Sequence, residues 1–287
     1  MAETPKTRLI TGCSSGFGEL FVRQVRALGD NVIATGRNAE KKLAHLADTG
    51  ASILDLDVAA PASEINAKMT EAWNLYPNGI DVVVNNAGCV LSGGIEELTQ
   101  EEMECAFKTN FHGPLNITRA LLPRLRTRGN GTLLYMSSQA GQHGDPGAGA
   151  YCATKFALEG AVECLAQELA LLAPEIKVLL VEPGIFRTHV FSNITYAPER
   201  VPEYAEFNAS VRAFMASVIG NEPGDATKAV AVMINLVNGT GVAAGKTIPL
   251  RVPLGSDGLA VIRAKGDSIV QICDEWEEVA KSTDYKS

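Results

Sequence analysis

Short, almost wholly apolar runs alternate with longer helical patterns along most of the chain, and this alternation restricts the fold more than any other feature. Arg8 to Thr11, Asn31 to Thr35, Ser52 to Leu56, Val82 to Asn85, Thr132 to Met136 and Lys177 to Val181 read as strands. Residues 21–28, 41–49, 62–76, 101–126 and 151–172 carry apolar positions at helical spacing. A strand with no polar alternation expects both of its faces to be covered, as in a parallel sheet. Parallel neighbours need long crossovers, and those crossovers are right-handed. The pattern predicts an α/β fold with a doubly wound, Rossmann-like parallel sheet. No linker or low-complexity block divides the 287 residues, so a single domain over 1–287 is expected.

Two segments break the rhythm. Residues 189–220 hold Pro198, Pro202 and several aromatics, and predict an irregular lid over a substrate pocket. Residues 257–283 predict a C-terminal helical extension packed on the sheet edge.

Charge narrows the partners. A net charge of −8 and a pI near 5.1 argue against nucleic acid or an anionic membrane surface. The most apolar late stretch, Ala229 to Val237, is too short to span a bilayer. The polar start lacks a secretory signal, which predicts a cytoplasmic protein. Six scattered cysteines, with no Cys-x-x-Cys pair and no alternation with histidine, predict reduced core thiols and no metal site.

The first strand runs into Thr11-Gly12-Cys13-Ser14-Ser15-Gly16-Phe17-Gly18 and then directly into an amphipathic helix. Glycines there let the backbone turn tightly and approach a pyrophosphate, which the free N–H groups of the helix start stabilise. Ser14 and Ser15 add hydroxyl donors. An NAD enzyme places an acid about 20 residues on, to hold the ribose 2′-hydroxyl. Gly36 stands there instead, followed by Arg37, whose guanidinium suits a 2′-phosphate. The predicted cofactor is therefore NADP(H).

Tyr151 and Lys155 lie four apart in a helical pattern and share one face. A nearby ammonium is expected to stabilise the phenolate, lower the tyrosine pKa and make it a usable acid or base. Ser138 lies just past the strand 132–136, and Asn85-Asn86-Ala87-Gly88 ends another strand on the same carboxyl edge. Asn110 falls in the helical pattern before the Ser138 strand.

Taken in order, these motifs resemble the short-chain dehydrogenase/reductase family, in its single-domain branch, over about Thr7 to Pro249. The softer details, Phe17 in the glycine loop and Thr-Gly-Arg after the second strand, are most similar to the retinol and 17β-hydroxysteroid dehydrogenases and their microbial relatives. The resemblance implies a catalytic set of Asn110, Ser138, Tyr151 and Lys155, with Asn110 kinking its helix and holding a water that links Lys155 to solvent. It implies cofactor contacts from Gly12, Ser14, Ser15, Gly16, Phe17 and Gly18 in the loop. Asp57, with Val58 beside it, resembles the acid that accepts from the adenine amino group. Asn86, Ala87 and Gly88 resemble the stretch beneath the adenosine ribose, while Tyr151 and Lys155 reach the nicotinamide ribose. Pro183, Gly184, Ile185 and Thr188 resemble the segment that places the carboxamide. Helices 101–126 and 151–172 resemble those through which relatives form homo-dimers or homo-tetramers.

The implied reaction is NADPH-dependent reduction of an apolar ketone or aldehyde, or the reverse oxidation. The aromatics at 186, 191, 196, 204, 207 and 214 suit an apolar cavity. His143, in the glycine-rich loop, and His189 are candidate pocket residues. A different enzyme class on the same scaffold, an epimerase or dehydratase, would need another glycine spacing and a larger C-terminal domain. The remaining alternative is an NADP(H)-binding sensor or scaffold without turnover.

Overall fold

The computed structural model describes residues 4–285. In chain order its elements are β1 (Thr7–Ile10), α1 (Gly16–Ala27), β2 (Asn31–Gly36), α2 (Ala39–Lys42), β3 (Ser52–Asp55), α3 (Ala62–Trp73) and β4 (Val82–Asn85). There follow β5 (Leu91–Ser92), α4 (Gln100–Phe107), α5 (Gly113–Arg128), β6 (Gly131–Met136), α6 (Gly149–Leu172), β7 (Ile176–Pro183) and β8 (Thr195–Tyr196). The last are α7 (Ala205–Val218), α8 (Ala226–Asn238), β9 (Arg251–Leu254), α9 (Ser256–Glu275) and α10 (Glu277–Lys281). Seven strands form one parallel sheet in the order β3-β2-β1-β4-β6-β7-β9. The winding direction reverses between β1 and β4, and such a reversal opens a crevice at the carboxyl ends of the strands.

The unbroken apolar runs have a direct explanation. Leu9, Val83 and Leu133 join the layer beneath α3, α5 and α6, with Ile65, Ile117 and Leu158. Their neighbours Ile10, Val84 and Leu134 point the other way, onto α1 and α8, against Phe21, Val25 and Met233. Successive residues of a strand face opposite sides, so a sheet covered twice takes apolar side chains on consecutive positions. Full burial of each such side chain is worth roughly 1.5–3 kcal/mol.

Several expectations are corrected. The helix expected over 101–126 is cut by a π turn at Lys108–His112, just ahead of Gly113-Pro114, whose proline has no N–H to give. The helix expected over 41–49 is the single turn α2 followed by a 3₁₀ stretch, Ala44–Thr49. Three strands escaped the pattern: β5 and β8, a two-residue parallel pair, and β9. β9 contains Pro253, which a strand tolerates at a sheet edge, where β9 lies. The 189–220 excursion is more regular than expected, since α7 fills its second half. The C-terminal extension packs on the body only through its first two turns, and residues 263–285 are exposed throughout.

Candidate active site

A cavity of about 710 Å³ lies in the crevice at the carboxyl edge of the sheet. Its floor is the turn after β1. Gly12 has φ +71°, and a Cβ there would stand 2.8 Å from Ala87 Cα. Thr11 Oγ1 accepts hydrogen bonds from the N–H groups of Asn86 and Ala87, each at 2.9 Å. Asn86 Nδ2 donates back to Thr11 O at 2.7 Å. These bonds tie the glycine loop to the end of β4, so the two walls of the cleft move as one.

Gly12, Ser14, Ser15, Gly16 and Phe17 line the cavity, as do Arg37, Asp57, Val58 and Asn86 to Gly88. Pro183, Gly184, Ile185 and Thr188 line it from β7 and beyond. Gly18 is set back inside α1, where a Cβ would stand 2.2 Å from Gly12 O. Its bareness serves the close packing of helix on loop. Lys42 lines the same cavity and was missed in the sequence. Asn38, with φ 52°, and Asp55 Oδ1, which accepts from Ala39 N at 2.8 Å, turn the chain so that α2 carries Lys42 there. Arg37 and Lys42 bring two cations to the cavity, a charge that suits a phosphate group.

Ser138, Tyr151 and Lys155 meet deeper in the cavity. Lys155 Nζ donates to Met136 O at 2.6 Å and lies 5.6 Å from the centre of the Tyr151 ring. Burial pushes the Tyr151 hydroxyl up to about 12, and the Ser138 hydrogen bond acts the other way. The expected lowering of the tyrosine pKa is replaced by a rise, because desolvation dominates. Burial draws Lys155 down to about 8, opposed by the nearby Cys89 and Glu159.

Asn110 sits in the π turn, buried and away from the cavity wall. Its Oδ1 accepts from Cys89 N at 2.9 Å, and its Nδ2 donates to Cys89 O at 2.9 Å and Thr154 Oγ1 at 3.0 Å. Thr154 Oγ1 in turn donates to Tyr151 O at 2.7 Å. Asn110 thus joins the chain leaving β4 to the turn of α6 that carries Tyr151.

The expectation of core thiols holds for Cys13 and Cys152 only; the other four cysteines are exposed, and Cys89 lines the cavity. Cys105, Cys164 and Cys273 lie on outer faces of α4, α6 and α9, and Cys89 in the loop after β4. His143 stands outside the cavity lining, with its Nε2 3.6 Å from Asp145, whereas His189 does line it. Among the described residues, no cluster of His, Cys, Asp and Glu is built to hold a metal ion.

The outer wall belongs to α7, which turns Phe207, Val211, Phe214 and Met215 inward. These positions recur at helical spacing and make one apolar face. A single buried carboxylate anchors this wall. Glu97 is 1% exposed; its Oε1 accepts from Arg200 N at 3.0 Å and its Oε2 from Asn208 Nδ2 at 2.7 Å. The Asn208 amide, then the Arg200 N–H, hold the Glu97 carboxyl below the usual carboxylate range. The Arg200 guanidinium also grips Glu102, at 2.8 Å and 3.0 Å. Glu102 is itself the partner of Thr99 in the capping box that starts α4. Removing Glu97 strands several donors, each worth about 1–3 kcal/mol. Glu97→Ala is expected to raise substrate KM roughly tenfold or more, at about 1.4 kcal/mol per decade, and to leave cofactor affinity unchanged. Steady-state kinetics beside a cofactor titration check this; an unaltered KM would refute the anchoring role.

A family profile described as short chain dehydrogenase matches residues 6–199. The chain belongs to the short-chain dehydrogenase family. It is an oxidoreductase of that family. A short-chain dehydrogenase from Streptomyces avermitilis superposes with a TM-score of 0.86 at 37% identity, covering 99% of this chain and 100% of the other. Human retinol dehydrogenase 8 is 32% identical over 259 residues, covering 84% of this chain and 80% of its own. A short-chain dehydrogenase of Shigella flexneri, complexed with NADP, superposes with a TM-score of 0.58 at 30% identity, covering 64% of this chain and 78% of the other. Among the described residues, no helix is long and apolar enough to cross a membrane.

Proposed function

We propose that the protein reduces an apolar ketone or aldehyde with NADPH. The observation that carries this reading is the meeting of Ser138, Tyr151 and Lys155 inside one cavity whose far end holds Arg37 and Lys42. NADPH supplies the hydride when bound. Tyr151 holds the proton that the nascent alkoxide receives, and its high pKa keeps that proton in place at neutral pH. Ser138, on Tyr151's side of the cavity, donates to the same oxygen. Lys155, charged below about 8, stabilises the phenolate left behind. Ser14 and Ser15 hold the pyrophosphate with the start of α1, and Arg37 and Lys42 hold the 2′-phosphate. The NADP of the Shigella relative supports that choice of cofactor, and the retinoid named for the human relative supports an apolar substrate.

The test is NADPH consumption against a panel of ketones and aldehydes of increasing apolar bulk. Reduction is expected to hold steady in mild acid and to fall as pH rises through about 8, where Lys155 loses its charge. Alcohol oxidation needs the phenolate instead, so it should climb with pH toward the alkaline pKa of Tyr151. Binding of NADPH with no turnover on any carbonyl would overturn this reading and leave a sensor.

A further inference from the structure

Helices α9 and α10 leave the body as an unsupported rod. Contact with the protein ends after the first turns, near Gly184 and β9. Every residue from 263 to 285 is exposed, including Ile269 at 49% and Trp276 at 59%. The junction between the two helices is slight, for Trp276 N still bonds Ile272 O at 3.1 Å. Helices in proteins draw most of their stability from packing an apolar face rather than from propensity, and a row of bare apolar side chains is a surface that asks for cover.

The row has a definite period. Ile262, Gly266, Ile269, Cys273, Trp276 and Ala280 follow one another at intervals of four, three, four, three and four, and the exposed Val270, Ile272 and Val279 flank them. That is the seam of a coiled coil, with polar residues such as Asp267, Gln271, Asp274 and Glu278 on the opposite side. Its charge is divided along its length. Arg263 and Lys265 lie in its first half; Asp274, Glu275, Glu277 and Glu278 lie in its second, where Lys281 pairs with Glu277.

We infer that this rod pairs with the same rod of a second copy of the chain, antiparallel, about an axis beside Gln271. In that register each layer of the seam sets a large side chain against a small one. Trp276 faces Gly266, where nothing lies within 4 Å of a would-be Cβ. Ile269 faces Cys273, and Ile262 faces Ala280. The same register brings Arg263 and Lys265 beside Glu275 and Glu277 of the other copy. Parallel pairing would set acid against acid, and the net negative rod is repelled by an anionic membrane. Because the contact is isologous, it closes after two copies. It is separate from the faces of α5 and α6, and it adds one association step to any they make.

Sedimentation velocity of the full chain across a concentration series tests this. The chain of 30.4 kDa is expected to associate, and Ile269→Asp with Trp276→Glu is expected to remove one twofold step of mass. Turnover should be unchanged, since these residues stand far from the cavity. Reversing the acids (Glu275→Lys, Glu277→Lys) should weaken association. Adding Arg263→Glu and Lys265→Glu to the same chain should restore it. A wild-type monomer at every concentration overturns the proposal. So does a mass that ignores the apolar substitutions, a charge swap that fails to rescue, or binding of a monomer to anionic phospholipid vesicles through this rod.

Discussion

Replacing Tyr151 by phenylalanine is expected to lower reductase turnover by about 10²–10⁴-fold, the usual worth of a positioned general acid. The ring keeps its place, because what holds it is the backbone: Thr154 Oγ1 bonds Tyr151 O at 2.7 Å, and Asn110 holds Thr154. Only the proton and the bond to Ser138 are removed. NADPH affinity should therefore change little, and the loss should fall on kcat. Stopped-flow single turnovers with a saturating ketone separate the two quantities. A Tyr151→Phe enzyme with wild-type single-turnover rates would remove Tyr151 from the chemistry. A variant that also failed to bind NADPH would point to a collapsed pocket instead, and Ser138→Ala is the companion that avoids it.

The second large effect concerns the cofactor's tail. Charge-assisted hydrogen bonds are worth about 1.5–3 kcal/mol, or roughly 10- to 150-fold in affinity at 1.4 kcal/mol per decade. Arg37→Asp should weaken NADPH binding by at least this much, since it adds a repelling carboxylate as well as deleting the guanidinium. NADH, which has no 2′-phosphate, should bind about as before. Lys42→Glu is expected to act in the same direction. Fluorescence titration of both dinucleotides reads the ratio directly. Equal losses for NADH and NADPH would show that Arg37 and Lys42 do not read the phosphate.

The parts of this molecule that were plain in the sequence are those governed by short-range rules. Strands covered on both faces carry apolar side chains on consecutive positions, so Leu9-Ile10 of β1, Val82 to Val84 of β4 and Leu133-Leu134 of β6 stand out. The glycine turn is legible because backbone geometry leaves no other residue there; Gly12, with its positive φ, is an instance. What was missed depends on distant partners. Lys42 joins the cavity only because Asp55, on another strand, caps α2. Glu97 carries no local signal at all, for its partners lie more than a hundred residues away. The tyrosine's acidity was misjudged for a similar reason. Spacing places Lys155 beside it, but only the fold reveals how deeply both are buried.

Helix α7 keeps its two duties on separate sides. Asn208 faces the protein and is fixed to Glu97, while Phe207, Val211 and Phe214 face the cavity and are fixed to nothing polar. Exchanging the inward side chains for others of different bulk is expected to change the cavity's shape, and with it the substrates of the proposed reaction, while the docking of the wall stays as it is. Drift among such enzymes need not pass through unstable intermediates. A library restricted to positions 207, 211, 214 and 215 is the natural place to look for new substrates.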